Sequence, residues 1–248
     1  MGGTLHLGTS GFAYEEWRHG VFYPEGVTAS RMLPHYASVF ESVEINYTFR
    51  RFPSEATLRT WVAQTPDSFR FALKANQRIT HSRRLRGAGA DLADFLSRAR
   101  ELGPRLGPIL FQLPPNLPHE AGLLEGFLDL LPPGLTAAME FRHPSWRAAW
   151  DLLRERGIAR CVADTDEEPA AEPDLSWSPF GYLRLRRAAY DGDQLATWAH
   201  RISAALGAGA DVYCYFKHED SAAGPRMAQA LRSHLVAERT HPESELRK

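Results

Sequence analysis

Short apolar segments alternate with amphipathic segments along most of the chain. Eight segments have the length and the apolar, β-branched and aromatic content that are typical of buried strands. They lie at residues 5–8, 43–46, 69–75, 108–113, 136–142, 158–164, 181–185 and 211–216. Between most of them, apolar residues recur at i, i+3, i+4 and i+7, which predicts amphipathic helices. These helices lie at residues 30–41, 54–64, 90–103, 120–131, 193–207 and 222–238, with a further helix that Ser145 caps and Gly157 ends.

Eight strands that alternate with helices predict a (β/α)8 barrel, the TIM-barrel fold of the α/β class. Such an order implies right-handed crossovers between parallel strands, and eight units are the number that closes the barrel. An open doubly wound sheet is the alternative. Residues 164–179 contain three prolines and six acidic residues without a helical period, so we expect a loop in place of the sixth helix. We predict one barrel domain over residues 1–238 and a polar tail over residues 239–248.

Composition and charge narrow the class of protein further. A hydrophobic content of 44% with 24% charged residues excludes a disordered chain. The formal net charge of −1 gives no general attraction to nucleic acid or membranes, so such binding needs a local patch. The sequence shows neither a secretion leader nor a membrane-spanning apolar run, and we expect a cytoplasmic protein. Cys161 and Cys214 lie in apolar strands and are expected to be buried free thiols.

Side chains alternate in character along the predicted strands. Phe71 and Leu73 share one face of their strand, whereas Lys74 lies on the other face; Met139 is likewise opposite Glu140. Barrel strands direct bulky apolar side chains outward against the helices, so the small and charged side chains point inward. The charged ones occur near the C-terminal strand ends. We therefore predict that they meet at the C-terminal mouth, the face where TIM-barrel sites are built.

The candidate site residues come from these strand ends and from the loops that follow them. We predict acid/base roles for Glu44 and Glu140, and for Lys74 the role of an electrostatic clamp or of a Schiff-base amine. The predicted ring of strand-end residues holds four cations against three acids, which favours a phosphorylated or carboxylated small molecule as the ligand. No metal or cofactor is predicted. The residues predicted to bind the ligand are Ser10, Tyr14, Trp17, Asn46, His81, Gln112, Arg142, His143, Asp164, Arg184, Arg186, Lys217 and His218.

Other interpretations of the same residues stay open. The charges could form an ion-paired layer that only fills the barrel, or the site could belong to a non-catalytic ligand sensor. Carboxylates and histidines also bind divalent metals, which leaves a metal-assisted phosphodiester hydrolase as an alternative, although interleaved cations disfavour it. The basic segment 77–86 follows the third strand and could bind nucleic-acid phosphates. In that case Arg186 and Arg187 would extend the basic surface, and Tyr14, Trp17 and Tyr190 would stack on bases.

Several motifs, in order along the chain, resemble those of the YecE-like family. They are Gly8-Thr-Ser-Gly-Phe12 with Trp17, Val43-Glu-Ile-Asn46, Phe71-Ala-Leu-Lys74, Ile79-Thr-His81, Leu110-Phe-Gln-Leu-Pro-Pro115, Glu140-Phe-Arg-His143 and Tyr182-Leu-Arg184. The resemblance covers residues 5–235 and implies a TIM-barrel fold, without an established activity. The sequence departs from the commoner pattern at Arg186-Arg187, where many members have His-Gly. It also departs at Lys217-His218-Glu219-Asp220, where many have Asn-Asn or Asn-Asp.

Overall fold

The computed structural model shows eight parallel strands in a nearly closed barrel. It describes residues 2–120, 122–170, 175, 178, 180–217 and 222–240. From β2 to β8 each strand pairs with the next one in the chain, and β8 pairs with β1. This order confirms the predicted barrel. The strands are Leu5–Thr9 (β1), Ser42–Ile45 (β2), Arg70–Lys74 (β3), Leu106–Gln112 (β4), Ala137–Glu140 (β5), Ala159–Asp164 (β6), Phe180–Leu185 (β7) and Asp211–Phe216 (β8).

Helices cover the outside of the barrel. In the described part of the chain they are Ala29–Val39 (α1), Glu55–Gln64 (α2), Gly89–Ala99 (α3), Leu123–Leu128 (α4), Trp150–Glu155 (α5), Gly192–Gly207 (α6) and Ala223–Thr240 (α7). The described residues between β6 and β7 include no helix, as expected for this connection. Helix α7 includes the first two residues of the predicted tail, and residues 241–248 lie outside the described part. No described helix combines the length and the apolar character that a membrane span requires.

The start of α5 differs from the sequence prediction. A 3-10 turn over Pro144–Ala149 precedes the helix, and its cap is His143, whose Nδ1 accepts a hydrogen bond from the backbone N–H of Ser145 at 3.3 Å. Ser145 was expected to cap the helix, but its Oγ accepts a hydrogen bond from the backbone N–H of His119 at 2.8 Å. Its hydroxyl therefore links two loops. Gly157 ends the helix as predicted, with a φ of 65°.

Two apolar layers lie on opposite faces of the strands. Phe71, Leu73 and Met139 pack outward with the helices, which confirms the predicted alternation. Both cysteines are free and buried, Cys161 inside the barrel and Cys214 outside it. The interior layer consists of Ala72, Leu110, Ala138, Ala159, Cys161, Phe180, Tyr182, Tyr213 and Tyr215.

Strands β1 and β2 meet through few backbone contacts, and we call this junction the seam. One parallel bridge joins Ser10 to Glu44, and the backbone N–H of Gly11 donates to the carbonyl of Glu44 at 2.8 Å. These contacts lie at the C-terminal end of the barrel. The backbone of Glu44 is therefore held directly against β1.

The close approach of the two strands requires glycine at position 8. A Cβ atom there would lie 1.9 Å from the carbonyl oxygen of Ser42 and 2.9 Å from the hydroxyl of Tyr36. That hydroxyl comes from α1 and lies between the strands, where it accepts from the backbone N–H of Thr9 at 2.7 Å and donates to the Ser42 carbonyl at 3.1 Å. A side chain at position 8 would push β1 away from β2.

We expect Gly8→Ala to lower the free energy of unfolding by about 1–3 kcal/mol or more, because the added methyl group overlaps a backbone carbonyl that has no room to move. Urea denaturation measures the change. Gly126→Ala in α4 is the matched control, since a Cβ there would meet no atom within 4 Å. It should raise the free energy of unfolding by about 0.5–1 kcal/mol. Equal stabilities of the two variants would contradict the packing described for the seam.

Candidate functional site

A buried arginine joins two buried glutamates at the C-terminal end of the barrel. Arg184 on β7 donates from Nη2 and Nε to Oε1 of Glu44 on β2, at 2.9 and 3.2 Å. Its Nη1 donates to Oε2 of Glu140 on β5 at 2.6 Å. Arg184 and Glu140 are each 2% exposed, and Glu44 is 0% exposed. We call these three residues the central ion triad; it links three strands that are not neighbours in the sheet.

Neutral side chains also donate hydrogen bonds to the two oxygens of the Glu44 carboxylate. Its Oε1 accepts from Ser10 Oγ at 2.8 Å and from Asn46 Nδ2 at 3.0 Å, and its Oε2 accepts from the hydroxyl of Tyr182 at 2.9 Å. Ser10 and Asn46 are predicted site residues. The sequence analysis missed Tyr182, although its position two residues before Arg184 places it on the same inward face.

The Glu140 carboxylate has a similar set of donors. Its Oε1 accepts from Gln112 Nε2 at 2.6 Å and from Arg142 Nε at 3.1 Å. The thiol of Cys161 lies 3.9 Å from its Oε2. The structure therefore brings the predicted residues Gln112 and Arg142 to the triad.

These contacts keep both carboxyl groups ionised. Burial is the largest influence and would raise their pKa values, but the charge of Arg184 and the hydrogen bonds to the carboxylates together outweigh it at both sites. The charge of Arg184, together with the hydrogen bond from Ser10, holds the pKa of Glu44 below its ordinary value. Arg142 adds to the effect at Glu140, whose pKa falls to about 2. The pKa of Arg184 is raised well above its ordinary value by the two glutamates, despite burial. The triad therefore has a net charge of −1.

Three further cations, Lys74, Arg142 and Arg186, lie around the triad. Arg142 contacts Glu140, and its side chain is 45% exposed. Arg186 follows Arg184 by two residues and so points to the same side of the sheet. Its Nη1 atom is buried and has no hydrogen-bond partner among the described residues. Burial and the charge of Arg184 lower the pKa of Arg186.

Lys74 ends β3 with its ammonium group against an aromatic ring. Its Nζ lies 4.2 Å from the ring centroid of Phe49, and no carboxylate of the described residues comes within 4.0 Å of it. Burial, followed by the charge of Arg184, lowers the pKa of Lys74 to about 8. Lys74 is therefore the cation of the site whose proton is most easily lost.

His81 approaches the same ring from its edge. The centroids of Phe49 and His81 are 4.8 Å apart, with the rings nearly perpendicular. His81 lies in a π-helical turn, Arg78–Ser82, a geometry that is frequent at functional sites. Burial and the charges of Lys74 and Arg142 lower its pKa, so its imidazole is neutral at pH 7.

Tyr14 and Trp17 have different positions relative to the site. Tyr14 donates its hydroxyl to the carbonyl of Ser10 at 2.6 Å, and burial together with the charge of Glu44 raises its pKa to about 12. Tyr14 therefore lies beside the triad. Trp17 is 0% exposed and packs with Tyr14 and Phe22, so its place is in the core rather than on a ligand-facing surface.

Asp164 lies on the outward face of β6. It is in register with Leu185, which belongs to the outer apolar layer. Its carboxylate accepts from Arg187 Nη2 at 2.9 Å and from the hydroxyl of Tyr190 at 2.9 Å. The sequence analysis placed Asp164 in the ring with Glu44 and Glu140; the structure gives it separate partners on the other face.

His143, Lys217 and His218 are the remaining predicted residues. His143 caps the turn before α5, and its Nδ1 is 2.7 Å from Ser145 Oγ. Lys217 follows β8 directly and is fixed through its backbone N–H, which donates to Leu185 at 2.9 Å. His218 lies outside the described residues.

The arginines of the basic segment 77–86 are already paired within the chain. Arg78 and Arg83 approach Asp91 at 3.9 and 3.1 Å. Arg84 Nη2 donates to the carbonyl of Asn116 at 2.5 Å, and Arg86 forms an ion pair with Glu120. The segment is therefore held against α3 and the loop after β4.

No three His, Cys, Asp or Glu side chains among the described residues converge in a metal-binding arrangement. The acidic groups at the mouth are instead surrounded by cations. Glu44 and Glu140 both face Arg184, and Asp164 faces Arg187.

Comparison with known sequences finds a matching family and several relatives. The model of the family described as "Protein of unknown function DUF72" matches residues 6–248. The UPF0759 protein YecE of Escherichia coli K12 is 34% identical over 166 residues, which are 64% of this chain and 60% of that protein. The UPF0759 protein YunF of Bacillus subtilis 168 is 27% identical over 155 residues, 57% of this chain and 52% of that protein. The chain thus matches about three fifths of the length of YecE.

Solved structures show the same architecture. A DUF72 family protein of Thermotoga maritima superposes with a TM-score of 0.80 at 26% identity, covering 94% of this chain and 99% of that one. A DUF72 family protein of Enterococcus faecalis V583 gives a TM-score of 0.77 at 16% identity, covering 94% and 96%. Both confirm the fold, and neither assigns a ligand.

Arg184→Met removes the cation that the two buried carboxylates share. We expect the free energy of unfolding at pH 7 to fall by about 3–5 kcal/mol, because an unpaired buried charge is costly. In the unchanged protein the carboxyl pKa values are lowered, so the stabilisation is present above about pH 4.3 and is lost as the pH falls towards 2. In the variant burial raises those pKa values. Protonation of the carboxyl groups then removes the cost of burying unpaired charges. The difference in stability between the variant and the unchanged protein is therefore smaller at about pH 4 than at pH 7.

Urea denaturation at neutral and acidic pH measures both effects. Arg59→Met is the control, because Arg59 forms only an exposed pair with Glu55 at 3.3 Å. That variant should stay within about 0.5 kcal/mol of the unchanged protein. If Arg184→Met lowered the free energy of unfolding by the same amount at both pH values, the result would contradict an ionised triad.

Proposed function

Because this chain belongs to the DUF72 family, whose description is a protein of unknown function, we propose a function from the site itself: the C-terminal mouth binds the phosphate or carboxylate group of a small molecule. The observation that carries this proposal is the buried Nη1 of Arg186, which has no hydrogen-bond partner among the described residues. A buried donor on a cation costs free energy unless an acceptor is supplied. An anionic oxygen supplies both the acceptor and the opposite charge.

The balance of charge supports the same ligand. The central ion triad has a net charge of −1, and Lys74, Arg142 and Arg186 together bring three positive charges when Lys74 is protonated. These six residues therefore have an excess of two positive charges. Cations in a partly desolvated cleft attract anions more strongly than cations in water do, and guanidinium groups match phosphate and carboxylate oxygens in geometry.

Within this proposal the central ion triad positions the binding groups and does not itself transfer protons. A general base works best when its pKa lies near the working pH, whereas the pKa of Glu140 is about 2. Glu44 and Glu140 are also occupied by hydrogen-bond donors. We therefore assign them to positioning, in place of the acid/base role that their residue type suggests, and assign proton transfer to Lys74 and His81.

Arg186→Met tests the anion site. Hydrogen bonds to charged groups contribute about 1.5–3 kcal/mol, so the affinity for the anion should fall about ten- to a hundredfold. Isothermal titration calorimetry with inorganic phosphate and with ribose 5-phosphate measures the change. The free energy of unfolding without anions should stay equal or rise, because the variant no longer buries the Nη1 donor that has no partner among the described residues.

Arg59→Met again serves as the control and should bind both anions like the unchanged protein, since Arg59 lies on the exposed face of α2. Absence of saturable binding of either anion to the unchanged protein contradicts the proposal, as does undiminished binding by Arg186→Met. A short single-stranded oligonucleotide at low salt provides a second comparison. If it displaces phosphate and its binding weakens steeply with salt, nucleic acid becomes the better assignment.

A further inference from the structure

Lysine is almost absent from this chain. Of its 29 Lys and Arg residues, 26 are arginine, and the lysines are Lys74, Lys217 and Lys248. Arginine therefore serves nearly every position that needs a positive charge, including the central ion triad. A lysine beside the arginines of the site points to a property that arginine lacks. That property is the loss of a proton near neutral pH, which gives a free amine.

The surroundings of Lys74 favour the free amine. Its side chain is partly buried at the end of β3, and no carboxylate of the described residues forms an ion pair with it. The ring of Phe49, whose centroid lies 4.2 Å from Nζ, attracts the ammonium form and so acts in the opposite direction. Neighbouring cations and burial both disfavour the ammonium form. The charged and titratable groups near it are Arg184, Arg142, Glu140, Glu44 and His81. With a pKa of about 8, about a tenth of Lys74 is neutral at pH 7.

We infer that Lys74 is a nucleophilic amine that forms an imine with a carbonyl group of the bound anion. The ligand class is then an aldehyde or ketone with a carboxylate or phosphate, such as a 2-oxo acid or an open-chain sugar phosphate. The inference rests on the proposed anion site, because Arg142 and Arg186 hold the anionic group while Lys74 meets the carbonyl carbon.

The step is a condensation that needs no oxidant or reductant. The neutral amine attacks the carbonyl carbon, a C–N bond forms, and a proton moves from nitrogen to oxygen. The resulting carbinolamine loses water to give the C=N bond. His81 contacts the same Phe49 ring as Lys74, and its imidazole is neutral; we assign it to accept and return the proton.

Reductive trapping tests the inference. The unchanged protein is incubated at pH 7 with glyoxylate, a carboxylate that bears an aldehyde, and with sodium cyanoborohydride; peptide mass spectrometry then locates the modified amines. Lys74 should react at least about tenfold faster than Lys217 and Lys248, because about a tenth of Lys74 is neutral at pH 7 and the anion site holds glyoxylate beside it. The reaction should saturate with glyoxylate and should slow when inorganic phosphate occupies the anion site. The rate should rise as the pH passes through about 8.

One internal comparison and one variant separate the effect of the site from that of simple basicity. The α-amino group, with an ordinary pKa of about 7.7–8.0, reports the labelling that basicity alone produces, which neither saturates nor responds to phosphate. Lys74→Arg keeps the positive charge but has no amine that can form an imine, so it should lose the saturable adduct.

Labelling of Lys74 that is no faster than that of Lys217 and Lys248 overturns the inference. Fast labelling that neither saturates nor slows with phosphate overturns it as well. If phosphate still binds in either case, the imine step is rejected while the anion site stands. If phosphate does not bind at all, the proposed anion site is rejected, and the imine inference that rests on it is rejected too.

Discussion

The placement of Arg184 between Glu44 and Glu140 is the interaction on which the C-terminal end of the barrel depends. Removing three ions from water costs several kcal/mol for each ion, on the order of the whole stability of a domain. Mutual attraction offsets that cost only when the remaining oxygens are hydrogen-bonded. This requirement explains why Tyr182 and Gln112 also lie at the triad. The triad therefore fixes the relative positions of β2, β5 and β7.

The triad and the seam of the barrel share one residue. The side chain of Glu44 belongs to the triad, and its backbone forms the bridge to Ser10. The Ser10 hydroxyl in turn donates a hydrogen bond to the Glu44 carboxylate at 2.8 Å. Close approach of β1 and β2 depends in turn on Gly8. The seam thus positions a charge of the site, and the site strengthens the part of the barrel with the fewest ladder hydrogen bonds.

The remaining cations form two chemical groups. A guanidinium group is always charged in proteins, whereas burial and the charge of Arg184 lower the pKa of Lys74 to about 8. A permanent charge is suited to hold an anion, and a titrating amine is suited to react with it. The family likeness establishes the barrel, and the arrangement of these side chains is what supports a function on it.

The sequence by itself determined the eight strands, most of the helices and the inward position of Glu44, Glu140 and Arg184. These features follow from periods of two and 3.6 residues, which are local properties of the chain. The tertiary structure decided which charges pair. It gave Asp164 partners on the outward face and placed Trp17 in the core. Pairing and burial depend on distances between strands that are remote in sequence, and no local period encodes those distances.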